Sequence, residues 1–82
     1  MDDFKESVEK VRNSKPKTHV DNKVKLHFYA LYKQATVGDN RSDKPSIFNT
    51  VGKAKWDAWN SKKGMKREVA MRQYTLLTSK FY

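Results

Sequence analysis

Apolar positions recur along this chain at helical spacing in four separate stretches. In the first, Phe4, Val8 and Val11 follow at four and three residues, with acidic residues early and Lys10 and Arg12 late. Near 100° per residue these positions share one face, and the charge order suits the helix dipole. The pattern predicts a short helix from Asp2 or Asp3, ended by Asn13 and Ser14. Lys15-Pro16-Lys17-Thr18-His19 then reads as a loop, because proline disfavours helix in the residue before it. In the second stretch Val24, Phe28, Leu31 and Ala35 fall at four, three and four. This helix is expected to begin behind a cap at Asp21 or Asn22 and to run to about Val37, with Gly38 as a left-handed stop. Asp39 to Asn49 has no period and carries Pro45, so it is a long surface connection. A third helix, capped by Asn49 or Thr50, is expected over Val51 to about Lys62. It carries Ala54, Ala58, Trp56 and Trp59, and Gly64 closes it. A fourth, from about Lys66 to Phe81, sets Ala70, Tyr74, Leu77 and Phe81 at four, three and four, with Gln73 and Leu76 beside them. Nothing alternates with the period of a strand. The expected fold class is all-α, a single four-helix domain spanning residues 1–82.

Length and composition narrow the class further. A chain of 82 residues buries only somewhat over ~60% of the surface its unfolded form exposes, so stability should be modest. There is no cysteine for a disulfide or a zinc site, and His19 and His27 have no metal-ligand company. The longest apolar run, Phe28 to Tyr32, is far short of a membrane span, and the amino terminus reads Met-Asp-Asp-Phe rather than basic then apolar. A soluble, unexported, cytoplasmic protein is expected. The 18 Lys and Arg against 9 Asp and Glu give a formal charge of +9. Such an excess attracts phosphates, nucleic acid or anionic lipid headgroups without distinguishing among them, and it also serves simple solvation.

Two helices carry unusual chemistry on a second face. Beside the apolar line of the second helix run Lys25, Tyr29, Tyr32, Lys33 and Thr36, two rings and two cations in one stripe. Tyrosine rings stack on flat partners, their hydroxyls donate, and an ammonium meets an anion, so the stripe suits a nucleotide. A half-buried tyrosine pair beside a solvated face fits the same pattern. Lys53-Ala54-Lys55-Trp56-Asp57-Ala58-Trp59-Asn60 repeats the theme, although core packing is expected for at least one tryptophan. The Tyr74 hydroxyl serves either a site or solvent equally well. No catalytic arrangement is visible: Asp57 and Glu68 lack partner carboxylates or nucleophiles, and there is no glycine-rich phosphate loop. Catalytic and metal residues are therefore expected to be absent.

Two segments resemble the acyl-CoA-binding proteins. Tyr29-Ala30-Leu31-Tyr32-Lys33-Gln34-Ala35-Thr36-Val37-Gly38-Asp39 is similar to the family's Tyr-x-x-Tyr-Lys-Gln-Ala-Thr-x-Gly-Asp signature. Gly52-Lys53-Ala54-Lys55-Trp56-Asp57-Ala58-Trp59 is similar to its Gly-Lys-Ala-Lys-Trp-Asp-Ala-Trp block, and the likeness continues through Gly64 and Ala70-Met71-x-x-Tyr74. The resemblance implies an up-down-down-up four-helix bundle that carries one long-chain acyl-CoA ester without turning it over. It further implies that Tyr32 stacks on adenine, that Tyr29, Lys33 and Lys55 bind the ribose 3'-phosphate, and that Tyr74 closes the nucleotide pocket. Arg12 would stand near the phosphates, and Leu26, Ala54 and Trp56 near the acyl chain. Such a protein is expected to be a monomer with no resident cofactor, delivering acyl-CoA to enzymes or membranes and binding no nucleic acid. The alternative from another class is a basic helical nucleic-acid-binding module, motivated by charge and by interleaved Tyr and Lys.

Three features depart from the family pattern. Lys25 sits where Met is common, although a lysine stem still covers apolar surface. Met65 and Lys66 follow Gly64 where the family tends to have a Ser or Thr cap. The net charge is also higher than the family pattern leads one to expect.

Overall fold

Each helix begins and ends where side-chain and backbone chemistry dictate. The computed structural model describes residues 2–82, with α1 at Asp2–Asn13, α2 at Asn22–Thr36, α3 at Thr50–Asn60 and α4 at Arg67–Phe81. There is no strand among the described residues. At the start of α2 the Asp21 carboxylate accepts from the Val24 N–H at 2.9 Å, satisfying one free amide of the first turn. The helix stops at Thr36, one residue short of the expected end, and Gly38 follows at φ 96°. The Val37 and Gly38 amides both donate to the Lys33 carbonyl, the left-handed closure that glycine permits. Asn49 caps α3 through the Gly52 N–H at 3.0 Å. That helix ends at Asn60 rather than Lys62, because the Lys62 and Lys63 amides turn back onto Trp59 and Asn60 before Gly64 reverses the chain at φ 92°. Lys66 precedes α4 with no side-chain cap, as the Gly-Met-Lys sequence leads one to expect.

Cross-helix contacts fix the topology as up-down-down-up. Phe4 meets Tyr32 and Tyr74, near the end of α2 and the middle of α4, so α1 runs against α2 and beside α4. Phe28 meets both Tyr74 and Phe81, and Arg67 at the start of α4 donates to the Val37 carbonyl at the end of α2, so these two helices are antiparallel. Lys55 lies over Tyr29 and Lys33 over Trp59, so α2 and α3 run in one direction. Parallel neighbours need a connection that travels back along a helix, which explains the long segment 37–49.

The core gathers Phe28, Leu31, Ala35, Ala70 and Tyr74, with Phe4, Val8 and Val11 of α1 packed against it. These are the periodic positions of the sequence. No residue of α3 joins that cluster; Trp59, buried, anchors the helix by donating its indole N–H to the Gly38 carbonyl at 2.8 Å. A second tie is polar. Gln34, 1% exposed, donates to both the Asp39 carboxylate and the Met65 carbonyl at 2.8 Å, and Asp39 also accepts from the Gly64 N–H.

Candidate ligand-binding site

A groove opens between the amino-terminal halves of α2 and α3. It has a volume of about 360 Å³ and is lined by Leu26 and Tyr29 from α2, and by Thr50, Val51, Ala54 and Lys55 from α3. Ala54 keeps the α3 side low. At the rim the Lys55 ammonium lies 5.4 Å from the Tyr29 ring centroid, within cation–π range. One wall thus offers an apolar trough, and its edge a cation beside a phenol. That arrangement suits an amphiphile with an anionic head.

Lys33 extends from the same stripe but lies 4.7 Å from the Trp59 ring centroid. Its ammonium is therefore one helix turn along from the Lys55 and Tyr29 pair, in the same seam between α2 and α3. Tyr32, half-buried and about 60° around α2 from Tyr29, stacks on Phe4 at 6.3 Å and 27°. A second cavity of about 790 Å³ lies under the first connection, with Val11, Val20, Phe28 and Tyr82 as apolar lining and Lys17 and Lys25 among its polar residues. Lys25 also lines the first groove, so a single side chain joins the two spaces. The residue that departs from the family pattern stands at their junction.

Tyr74 is chiefly a core residue. At 4% exposure its ring packs edge-on against Phe4 at 5.3 Å and Phe28 at 5.2 Å. Burial, reinforced by the neighbouring Tyr82, pushes its phenol up to about 12, while the Arg12 charge opposes the rise. At neutral pH the hydroxyl is a donor, and Arg12 is exposed. Trp56 packs toward the long connection. It does not line the groove; its indole N–H donates to the Ser42 carbonyl at 3.0 Å, and Lys44 lies over its ring at 5.9 Å. Trp56 and Trp59 stand three positions apart, which separates them by about 60° around the helix. The long connection then covers Trp56.

Tyr29 and Lys55, marked by the aromatic and cationic stripes, and Leu26 and Ala54, named by the family resemblance, line one groove. Val51 and Thr50 complete it without having been singled out, since their only signal is position at the start of α3. Val20 and Tyr82 of the second cavity come from a loop and the far end of α4, and no local pattern marks them. No group of three or more His, Cys, Asp and Glu side chains is placed to hold a metal ion among the described residues. No helix of the described residues is long and apolar enough to cross a membrane.

A family model described as acyl CoA binding protein matches residues 1–78. The chain is 51% identical over 61 residues to acyl-CoA-binding protein homolog 1 of Caenorhabditis elegans, covering 74% of this chain and 71% of that one. It is 44% identical over 77 residues to enoyl-CoA delta isomerase 2 of Homo sapiens, covering 94% of this chain but only 19% of that protein. Among solved structures, acyl-CoA-binding protein 2 of Oryza sativa superposes with a TM-score of 0.88 at 40% identity, covering 96% of this chain and 86% of the other. The signature segments, the topology and these matches agree, and the chain belongs to the acyl-CoA-binding protein family.

Proposed function

We propose that this chain binds one long-chain acyl-CoA ester and acts as a non-catalytic carrier and buffer for it in the cytoplasm. The observation that carries the reading is the Lys55 and Tyr29 pair at the rim of an apolar groove between α2 and α3. In this reading the groove takes the acyl chain along Leu26 and Ala54. Lys55, Lys33 and the Tyr29 hydroxyl hold the ribose 3'-phosphate, where charge-assisted hydrogen bonds are strongest. Tyr32 stacks on the adenine, Arg12 and the Tyr74 hydroxyl flank the phosphates, and Trp56 supports α3 from the connection side. The monomer hands its ligand to acyl-CoA-using enzymes or to membranes. Family and fold give the nucleic-acid-binding alternative no support.

Titration calorimetry with acyl-CoA esters of increasing chain length tests this directly. Binding should tighten by roughly 0.8 kcal/mol for each methylene that enters the groove and then level off where the groove ends. Affinity independent of chain length would refute acyl-chain burial. Tighter binding of a DNA duplex than of palmitoyl-CoA at physiological salt would refute the ligand class.

A further inference from the structure

We propose that Ile47 and Phe48, with the outer side of Val51, form a tip that docks into a bilayer surface carrying anionic headgroups, beside the mouth of the α2/α3 groove. The proposal rests on the carrier reading for its purpose. Its physical basis is separate.

Three of the large apolar side chains that the fold leaves most exposed fall within five positions: Ile47 at 71%, Phe48 at 88% and Val51 at 66%. Phe48 immediately precedes the Asn49 cap, the position from which an apolar side chain often closes over the fourth residue of the helix. Here that fourth residue is Lys53, whose ammonium pairs with Asp57 at 2.9 Å instead. Phe48 is therefore left without the partner that would cover it. The backbone beneath is well held. The Asn49 N–H donates to the Ser46 carbonyl at 2.9 Å, and the Asn49 side chain caps the Gly52 amide at 3.0 Å. A Cβ on Gly52 would come within 2.4 Å of the Asn49 side-chain amide nitrogen, so glycine leaves room for the cap as it stands. Exposure of the tip is thus built on a fixed turn.

Charge selects the occupant. Between residues 41 and 57 stand Arg41, Lys44, Lys53 and Lys55 against Asp43 and Asp57, and the only ion pair among the described residues is Lys53 with Asp57. Exposed apolar side chains in one stretch with Arg41, Lys44 and Lys55, none of them in an ion pair among the described residues, match a bilayer interface, where rings and aliphatic groups reach the acyl boundary while cationic groups meet lipid phosphates. Continuity supports the same partner, because Val51 belongs to both the tip and the groove lining. An acyl chain passing between bilayer and groove at that lip stays on apolar surface.

The test uses the full chain without ligand and vesicles of phosphatidylcholine, alone or mixed with phosphatidylserine, read by sedimentation. Wild type should bind the mixed vesicles, less so as salt rises, and an Ile47→Ser, Phe48→Ser double variant should bind them roughly tenfold or more weakly. Both side chains are exposed, so the variant should keep its circular dichroism and its affinity for palmitoyl-CoA without vesicles. Vesicle binding equal to wild type would overturn the tip and leave general charge attraction. So would failure of wild type to bind either vesicle, or a wild-type self-association that the double variant abolishes, which would make a second copy the occupant. Vesicle binding in a protein that ignores palmitoyl-CoA would sink the carrier reading alone.

Discussion

Tyr74 separates a packing role from a ligand role within one side chain. Its ring is almost wholly buried between Phe4 and Phe28, whereas none of the side-chain hydrogen bonds among the described residues involves its hydroxyl. Truncation to alanine removes a large buried ring and two edge-on aromatic pairs, a loss of about 3–5 kcal/mol. A domain of this length commands roughly 4–12 kcal/mol in all, so Tyr74→Ala should be severely destabilised. Tyr74→Phe keeps the ring and its pairs, and its denaturant midpoint should correspond to a change within about 1 kcal/mol. The hydroxyl, pushed up to about 12 by burial, is neutral at pH 7 and donates. If it donates to a phosphate, its loss should weaken palmitoyl-CoA binding roughly 10- to 100-fold, since such bonds are worth about 1.5–3 kcal/mol. Chemical denaturation and calorimetry on the same two variants read both quantities. An unchanged affinity in Tyr74→Phe would leave Tyr74 as core alone, and a loss of several kcal/mol of stability would mean the hydroxyl has a structural partner.

Two further outcomes follow from local geometry. Lys66 stands at the α4 cap with extended backbone and no side-chain bond, so Lys66→Ser should raise stability by about 1 kcal/mol in urea denaturation; an unchanged or lower midpoint would contradict the helix start. The Asp39 carboxyl is held below its ordinary 3.8, first by the Gly64 amide and then by Gln34. A depressed folded-state value means its stabilisation is fully present above the unfolded value and is lost as pH falls through the folded one. The fall in denaturant midpoint below about pH 4 should therefore be shallower in Asp39→Asn than in wild type, and equal slopes would remove Asp39 from the acid limb.

How much of this was legible depends on how local each signal is. Phe28, Leu31 and Ala35 lie on one helix face by spacing alone, and Gly38 announces its own left-handed turn, so the helices and the core followed from the chain. Of the groove residues, Tyr29 and Lys55 were legible from their stripes on α2 and α3, whereas Leu26 and Ala54 were marked by the family resemblance. Trp56 and Trp59 were not separable. Which one packs toward α2 is decided by where the aperiodic connection 37–49 lies, and Ser42 receives Trp56 through a contact fourteen positions away in the chain. The resting place of Lys33 on Trp59 and the cavity shared by Val20 and Tyr82 likewise depend on tertiary packing, which no periodicity encodes. Gln34 looked like one polar residue in a signature, yet its buried amide ties together α2, the connection and the turn before α4.

The most direct test compares palmitoyl-CoA with its dephospho form on wild type and on Lys55→Ala, all four affinities at one salt concentration. If Lys55, Lys33 and Tyr29 hold the phosphate as proposed, wild type should prefer the intact ester by at least ~100-fold. Lys55→Ala should weaken the intact ester strongly and the dephospho ester little, so that most of the preference disappears. A general pull from the formal +9 predicts the opposite, because deleting one of many cations leaves the preference nearly whole. Strictly additive losses would contradict the site.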